Sequence, residues 1–426
     1  MKVQISDIGK IQTAELALDG ITVIAGQNGS GKTSLAKAIY GILSPVYNFE
    51  DHIMEKRLTS ILASVREWFR FSYAGKLSSQ QNRSTILLMN RVMRWVKNYV
   101  KEKIDLGCED LELTQAKLVE ICLSADSDSF SPESFEENKR TRETIDRIGL
   151  YWEKADEEYA SLIYFQQFRN LFENQIVSFD CKHPGEIKFD DGISVRLTND
   201  RIDSLDYSAT GKLGEVVFFS TDRDSLLGRN LYTDDSLAKQ LRRKNLFADQ
   251  DITLETYNEN LEAVTKFHQL IDSVIHGKFV SQENGIDFNF VENEHSSEKL
   301  ELCNMASGIL PFAMIEQLIE NGTLSRDSLL IIDEPEMNLH PEWQLSFAKL
   351  IIGLNHLLHV KALLISHSPY FIRAIEKVLS DTEYQGVSRA FYLMEKNSGN
   401  DQYHTKDVTN ETELIYQQLY RPLEEL

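Results

Sequence analysis

Ile21-Thr22-Val23-Ile24-Ala25-Gly26-Gln27-Asn28-Gly29-Ser30-Gly31-Lys32-Thr33-Ser34 is the stretch that decides the fold. Its first five residues form a short apolar run rich in β-branched side chains and closed by glycine, which predicts a buried strand. Gly26 to Thr33 then matches G-x-x-x-x-G-K-[ST], and a helical pattern runs from about Ser34 to Leu43 until Pro45 ends it. Strand, glycine-rich turn and helix in that order make a phosphate cradle. The glycines let successive backbone N–H groups turn inward, and the helix N-terminus adds partial positive charge. The candidate nucleotide-binding run is therefore Gly26, Asn28, Gly29, Ser30, Gly31, Lys32, Thr33 and Ser34. Lys32 is placed to reach the β- and γ-phosphates, and the Thr33 hydroxyl to ligate Mg²⁺.

Upstream of this run, Val3, Ile5, Ile8, Ile11, Ala14, Leu16 and Leu18 alternate as a strand pair. Far downstream, Leu329-Leu330-Ile331-Ile332-Asp333-Glu334-Pro335 describes a second buried strand that delivers two acids to its C-terminal edge. That edge is where open α/β sheets bind ligands. Asp333 reads as a Mg²⁺ ligand and Glu334 as the general base for a water. A third apolar strand ends in Ser366-His367-Ser368-Pro369, which puts His367 within reach of a terminal phosphate. About twenty-five residues before Asp333, Ser307-Gly308 opens a helix from Leu310. Two readings of this pair stand: an ordinary helix cap, or an anion site that serves the phosphate held by a second copy.

Together these segments, including Glu334-Pro335-Glu336-Met337-Asn338-Leu339-His340-Pro341 and Ser366 to Tyr370, resemble the ABC-type AAA-family ATPases related to the RecF, SMC and OLD heads. The resemblance covers residues 1–45 and about 216–375. It implies a P-loop α/β fold of the ABC type, with ATP and Mg²⁺ as ligand and cofactor. Lys32 and Thr33 are then the Walker A pair, Asp333 and Glu334 the Walker B pair, and Ser307-Gly308 the signature loop. Asn338 to Pro341 correspond to the D-loop and His367 to the switch histidine. The residue after Gly308 is Ile309, where many relatives carry Gln or Lys. For the Q-loop glutamine, Gln166, Gln167 and Gln175 are candidates by position alone.

The expected architecture is a mostly parallel sheet with an antiparallel N-terminal β lobe, split by a helical insertion. Residues 1–46 and 176–426 form the head and 47–175 the insertion. Within the insertion, Ile86 to Ile104 reads as a helix with Leu88, Val92, Trp95 and Tyr99 on one face and Arg91, Arg94, Lys97 and Lys101 on another. Ser124 to Pro132 has loop composition. Period-two patterning returns over Ile176 to Ser220, helices follow from about Asp235 to His276, and a hairpin from Phe279 to Val291. Ser380 to Leu426 reads as a solvated tail with one strand at Ala390 to Leu393, so no fused nuclease domain is expected.

Composition bounds the partners. The 426 residues carry 45 Lys plus Arg against 66 Asp plus Glu, a formal charge of −21. Such a field repels phosphate backbones, so nucleic acid needs a local basic patch. The Arg91–Lys101 face and the cluster Lys239, Arg242, Arg243 and Lys244 are two such patches, each better read as a solvated helix face. The four cysteines (Cys108, Cys122, Cys181, Cys303) have no metal-ligand spacing and read as reduced thiols. With no membrane-spanning run and no apolar leader core, a cytoplasmic location is expected. The expected function is an ATP-hydrolysing switch that forms a homodimer or higher homo-oligomer. It would control a separately encoded nuclease or toxin in antiviral defence; the alternative is a RecF- or SMC-like DNA-maintenance ATPase.

Overall fold

The computed structural model describes residues 1–72, 82–108, 111, 113–125, 139–177, 183–207, 213–220, 236–241, 265–269, 271, 278–281, 288–291, 300–301, 308–399 and 401–424. Ser307, Cys181, Cys303, Arg242, Arg243, Lys244 and most of the loop expected over Ser124 to Pro132 lie outside them. The chain divides into two compact units, Met1–Tyr47 with Gln167–Leu426, and Asn48–Gln166.

The first unit is built on one large mixed sheet. Its strands are β1 (Lys2–Ile8), β2 (Ile11–Ala17), β3 (Ile21–Ala25), β4 (Gly185–Phe189), β5 (Ser194–Leu197), β6 (Ile202–Asp206), β7 (Val216–Ser220), β11 (Leu329–Asp333), β12 (Lys361–Ser366), β13 (Arg389–Lys396) and β14 (Tyr403–Asp407). A small sheet holds β8 (Lys278–Ser281), β9 (Phe288–Val291) and β10 (Leu300–Glu301), with β8 and β9 antiparallel as the expected hairpin. The large sheet has the order β6-β5-β4-β1-β2-β14-β13-β3-β12-β11-β7.

Strands β13, β3, β12, β11 and β7 run parallel and form the core, and every residue of β3 and β11 is buried. That is why these strands read as continuous apolar runs rather than alternating ones. Strands β6, β5, β4, β1 and β2 are antiparallel; β1, β4 and β5 alternate buried with more open positions, and the edge strand β6 has no buried residue. The expected antiparallel lobe is therefore part of the same sheet. The joint is made by the C-terminal segment: β13 pairs with β3, β14 pairs with β2, and the two pair with each other. The solvated tail read over Ser380 to Leu426 is corrected here. Phe391, Tyr392, Leu393 and Met394 are buried because they fill the middle of the sheet.

Helices cover the sheet: α1 (Lys32–Leu43), α7 (Ser236–Leu241), α8 (Leu310–Glu320), α9 (Pro341–Leu358), α10 (Pro369–Leu379) and α11 (Glu413–Glu424). Phe312 packs edge-on against Phe347, with ring centroids 4.9 Å apart, in a core shared by α8, α9 and α10.

The second unit carries α2 (Phe49–Ser72), α3 (Asn82–Asp105), α4 (Gln115–Ala125), α5 (Lys139–Glu153) and most of α6 (Asp156–Phe172). Trp68, Phe69, Val92, Val96, Val100, Leu118 and Trp152 form its own core. Trp95, read on one face with Leu88, Val92 and Tyr99, is about half exposed, and the buried stripe runs Leu88, Val92, Val96 and Val100. Each four-residue step advances about 40° around the helix, so this stripe drifts from Leu88 round to Val100, whereas Trp95, seven residues after Leu88, stays near the azimuth of Leu88 and outside the drift. Cys122 is buried, and burial pushes its thiol up to about 12, so it stays protonated. The last turns of α6 belong with the first unit, ahead of the boundary read at 176. Phe168 and Leu171 pack on Gly41 of α1, where an added Cβ would sit 3.0 and 3.1 Å from them.

Candidate functional site

Strand register brings the site together. Ala25 lies level with Ser366, Ile365 level with Asp333, and Asp333 level with Ser220. The residues that follow those strand ends therefore emerge on one edge of the sheet: Gly26, His367 and Glu334.

At the end of β3 the chain turns through Gly29 and Gly31, at φ 77° and 87°. Gly31 is the N-cap of α1, no side chain caps the helix, and its first turn carries no acid. The first N–H groups of α1 are thus left for an anion. Gly26 allows close approach of β13: a Cβ there would meet the Met394 Cβ at 2.9 Å. Lys32 is buried and donates to the carbonyls of Gly26 at 2.9 Å and Gln27 at 2.8 Å. An ammonium has three donors, so one remains. Burial lowers its pKa, while Asp333, Glu334 and Glu336 oppose that shift.

The Thr33 hydroxyl donates to Asp333 Oδ2 at 2.7 Å, across a sequence distance of 300 residues. Asp333 is buried, and its other oxygen, Oδ1, has no partner among the described residues. Burial raises the Asp333 pKa first of all, Thr33 pulls it down, and Glu334 raises it again. A buried carboxylate with an orphaned oxygen beside a hydroxyl is a hard oxygen donor set, and it fits Mg²⁺. Ser30 Oγ is a second buried, unpartnered oxygen in the same loop.

Glu334 leaves β11 with φ 54°, while its N–H donates to Ile365 O at 2.9 Å. His367 Nδ1 stands 3.4 Å from Glu334 Oε1 and 3.4 Å from Glu336 Oε1. Neither contact is a directed hydrogen bond. Glu336, which carried no assigned role in the sequence, holds this corner together. Its Oε1 accepts from Ser366 Oγ at 2.8 Å and from the backbone N–H groups of His367 and Ser368 at 3.0 Å each. Burial raises its pKa, against the pull of those donors. The signal was present in the E-P-E spacing: a second acid two residues after the first, inside a tight turn.

A cavity of about 560 Å³ opens over the loop, lined by Gly9, Lys10, Asn28, Gly29, Gly31, Lys32, Thr33, Ser34, Phe172, Gln175, Val177 and Glu334. Lys10, which sequence reasoning passed over, donates to Gly29 O at 3.2 Å. Of the three candidate glutamines, Gln175 lines this cavity, whereas Gln166 accepts from Lys56 at 2.6 Å. Gly308 lies elsewhere, packed on the Asn338 carbonyl and the Leu339 and Trp343 side chains: an added Cβ would sit 3.1 Å from Asn338 O.

Phosphate-binding backbone at one strand end, with carboxylates two strands along the same sheet edge, is the common ground of P-loop nucleoside triphosphatases, and fold and site together assign the molecule to that class. The chain belongs to the AAA ATPase domain family, whose model matches residues 1–372, and it is an ATPase. Among solved structures, it is similar to the SMC head domain from Thermotoga maritima, with 9% identity, 96% of this chain and 98% of that one covered, and a TM-score of 0.38. It is also similar to an SmcHead bound to the C-winged helix domain of ScpA, with 12% identity, 97% and 98% coverage and a TM-score of 0.38. A third is the Smc head domain with an extended coiled coil bound to the C-terminal domain of ScpA, derived from Pyrococcus furiosus, with 11% identity, 100% and 98% coverage and a TM-score of 0.36. No curated protein matches this chain. No helix among the described residues is long and apolar enough to cross a membrane.

Proposed function

We propose that this ATPase is a switch whose closed state is a homodimer or higher homo-oligomer sealed by ATP. The observation that carries the reading is the Thr33–Asp333 hydrogen bond, with Lys32, Glu334 and His367 around it. The loop N–H groups and the spare Lys32 donor bind the β- and γ-phosphates. Thr33 and Asp333 would hold Mg²⁺, which neutralises charge developing on the phosphate oxygens. Glu334 takes a proton from the attacking water, and His367, steadied through Glu336, contacts the terminal phosphate. The resemblance supports assigning Ser307-Gly308 to the phosphate of the sister molecule, and Gly308 is absent from the cavity lining. The γ-phosphate gives that contact and ADP does not, so hydrolysis reopens the pair.

The output is control of a separately encoded effector of nuclease or toxin type in antiviral defence, a reading supported by the resemblance carried in Glu334 to Pro341 and Ser366 to Tyr370. Phosphate release by the purified chain, alone and with the products of neighbouring genes, tests it. Turnover that responds to a neighbouring effector supports the switch, and no turnover in any mixture overturns it.

A second reading, a clamp on duplex DNA, has one observation in its favour: Arg91, Arg94, Lys97 and Lys101 all lie on the exposed side of α3. A gel shift that depends on ATP and salt, and that weakens in R94E/K101E, would support it. Binding untouched by those reversals would remove α3 from the site.

A further inference from the structure

We propose that His268, Glu316 and Glu320 form a binding site for a divalent first-row transition-metal ion, with Zn²⁺ as the test case. The ATPase chemistry uses none of the three. Glu316 and Glu320 stand four residues apart on α8, hence on one face, one turn from each other. His268 comes from the helical segment 265–269, which Phe267 anchors in the core of the first unit. Donor atoms of all three side chains lie within 4.8 Å of one another.

Two observations point to a cation. Glu316 is only 3% exposed, and its Oε2 has no hydrogen-bond partner among the described residues. A buried carboxylate oxygen without a donor is costly, and an ion in the cluster removes that cost. His268 Nδ1 and Glu316 Oε1 are 3.4 Å apart. That is close to the separation of two ligands on a tetrahedral ion with bonds of about 2.1 Å.

One imidazole and two carboxylates suit Zn²⁺, Mn²⁺, Fe²⁺ or Co²⁺ better than a hard cation, and Glu320, exposed, provides entry and leaves a position for water. Glu320 is also the last residue of α8, where the helix carries partial negative charge that favours a cation. A bound ion would tie the C-terminal turn of α8 to the 265–269 segment. Because α8 starts just beyond Gly308, it would stiffen the helix assigned to reach the sister molecule.

The experiment is a Zn²⁺ titration of the EDTA-stripped full chain without nucleotide, by competition with a chromophoric chelator, together with thermal melts. The wild type is expected to bind one equivalent and to melt at higher temperature when loaded. H268N and E320Q should each weaken binding by about tenfold or more and abolish the shift in Tm. E320Q changes an exposed side chain, so folding is spared. D333N, which removes the carboxylate at the nucleotide site, should leave the titration unchanged. No stoichiometric binding by the wild type, wild-type binding in both H268N and E320Q, or loss of binding in D333N would overturn the proposal.

Discussion

Glu334 is held with φ 54°, a left-handed conformation that costs a non-glycine residue about 1–3 kcal/mol. The cost is met by its N–H bond to Ile365 and by the turn closed through Met337 N and Glu334 O at 3.0 Å. The turn carries the carboxylate off the strand into the cavity, beside His367. E334Q keeps the shape and removes the proposed base, so ATP turnover should fall by about 10²- to 10⁴-fold with nucleotide binding retained, measured by phosphate release and equilibrium binding. Asp333 makes the opposite prediction for stability. Its folded pKa is raised, so the folded chain holds more protons than the unfolded one between the unfolded value and the folded value. Stability therefore falls as pH rises through that window, and above it the buried carboxylate is a burden. D333N should raise the Tm of the nucleotide-free chain at pH 7, and the gain should shrink as pH falls toward 4 in a series of thermal melts. The Walker residues were legible because the chemistry needs those residue types next to glycines and apolar strands. The E-P-E spacing marks Glu336 as a second acid of the turn but not its role, which rests on three donors from a strand end 30 to 32 residues later in the chain.

Elements differ in how openly they declare themselves. Strands β3, β11 and β12 announce their type by apolar runs, since both faces are covered by helices. In α3 the helix was plain, but Trp95, read on one face with Leu88 and Val92, stands off the buried stripe. V96A should destabilise the chain by about 2 kcal/mol in urea unfolding, from lost burial plus a cavity, whereas W95S should change it by less than about 0.5 kcal/mol. Equal effects would contradict the stripe described here. Strands β13 and β14 were the hardest to place. Their partners, β3 and β2, lie more than 350 residues away, and nothing local marks Arg389–Lys396 as the joint between the two halves of a sheet. Gly26 depends on that joint. G26A drives a Cβ to 2.9 Å from Met394 and 3.1 Å from Ser30 Oγ, so nucleotide affinity should drop by about tenfold or more in a binding titration, with the fold preserved by circular dichroism.

The whole molecule separates the tasks. One unit carries the sheet and the nucleotide edge, and the other has its own aromatic core. A formal charge of −21 repels copies at long range, so the proposed closed state needs a specific attraction, which the switch reading assigns to the γ-phosphate of ATP. The order of the motifs made the ATPase class readable from the chain alone. The second copy was inferred from Ser307-Gly308, and it is the claim on which the switch depends. Analytical ultracentrifugation of E334Q with Mg²⁺ and ATP tests it most directly. The account predicts a dimer or larger assembly with ATP, and monomer with ADP or with ATP in a G308E background. Monomer under all conditions, or an assembly indifferent to nucleotide, would contradict it.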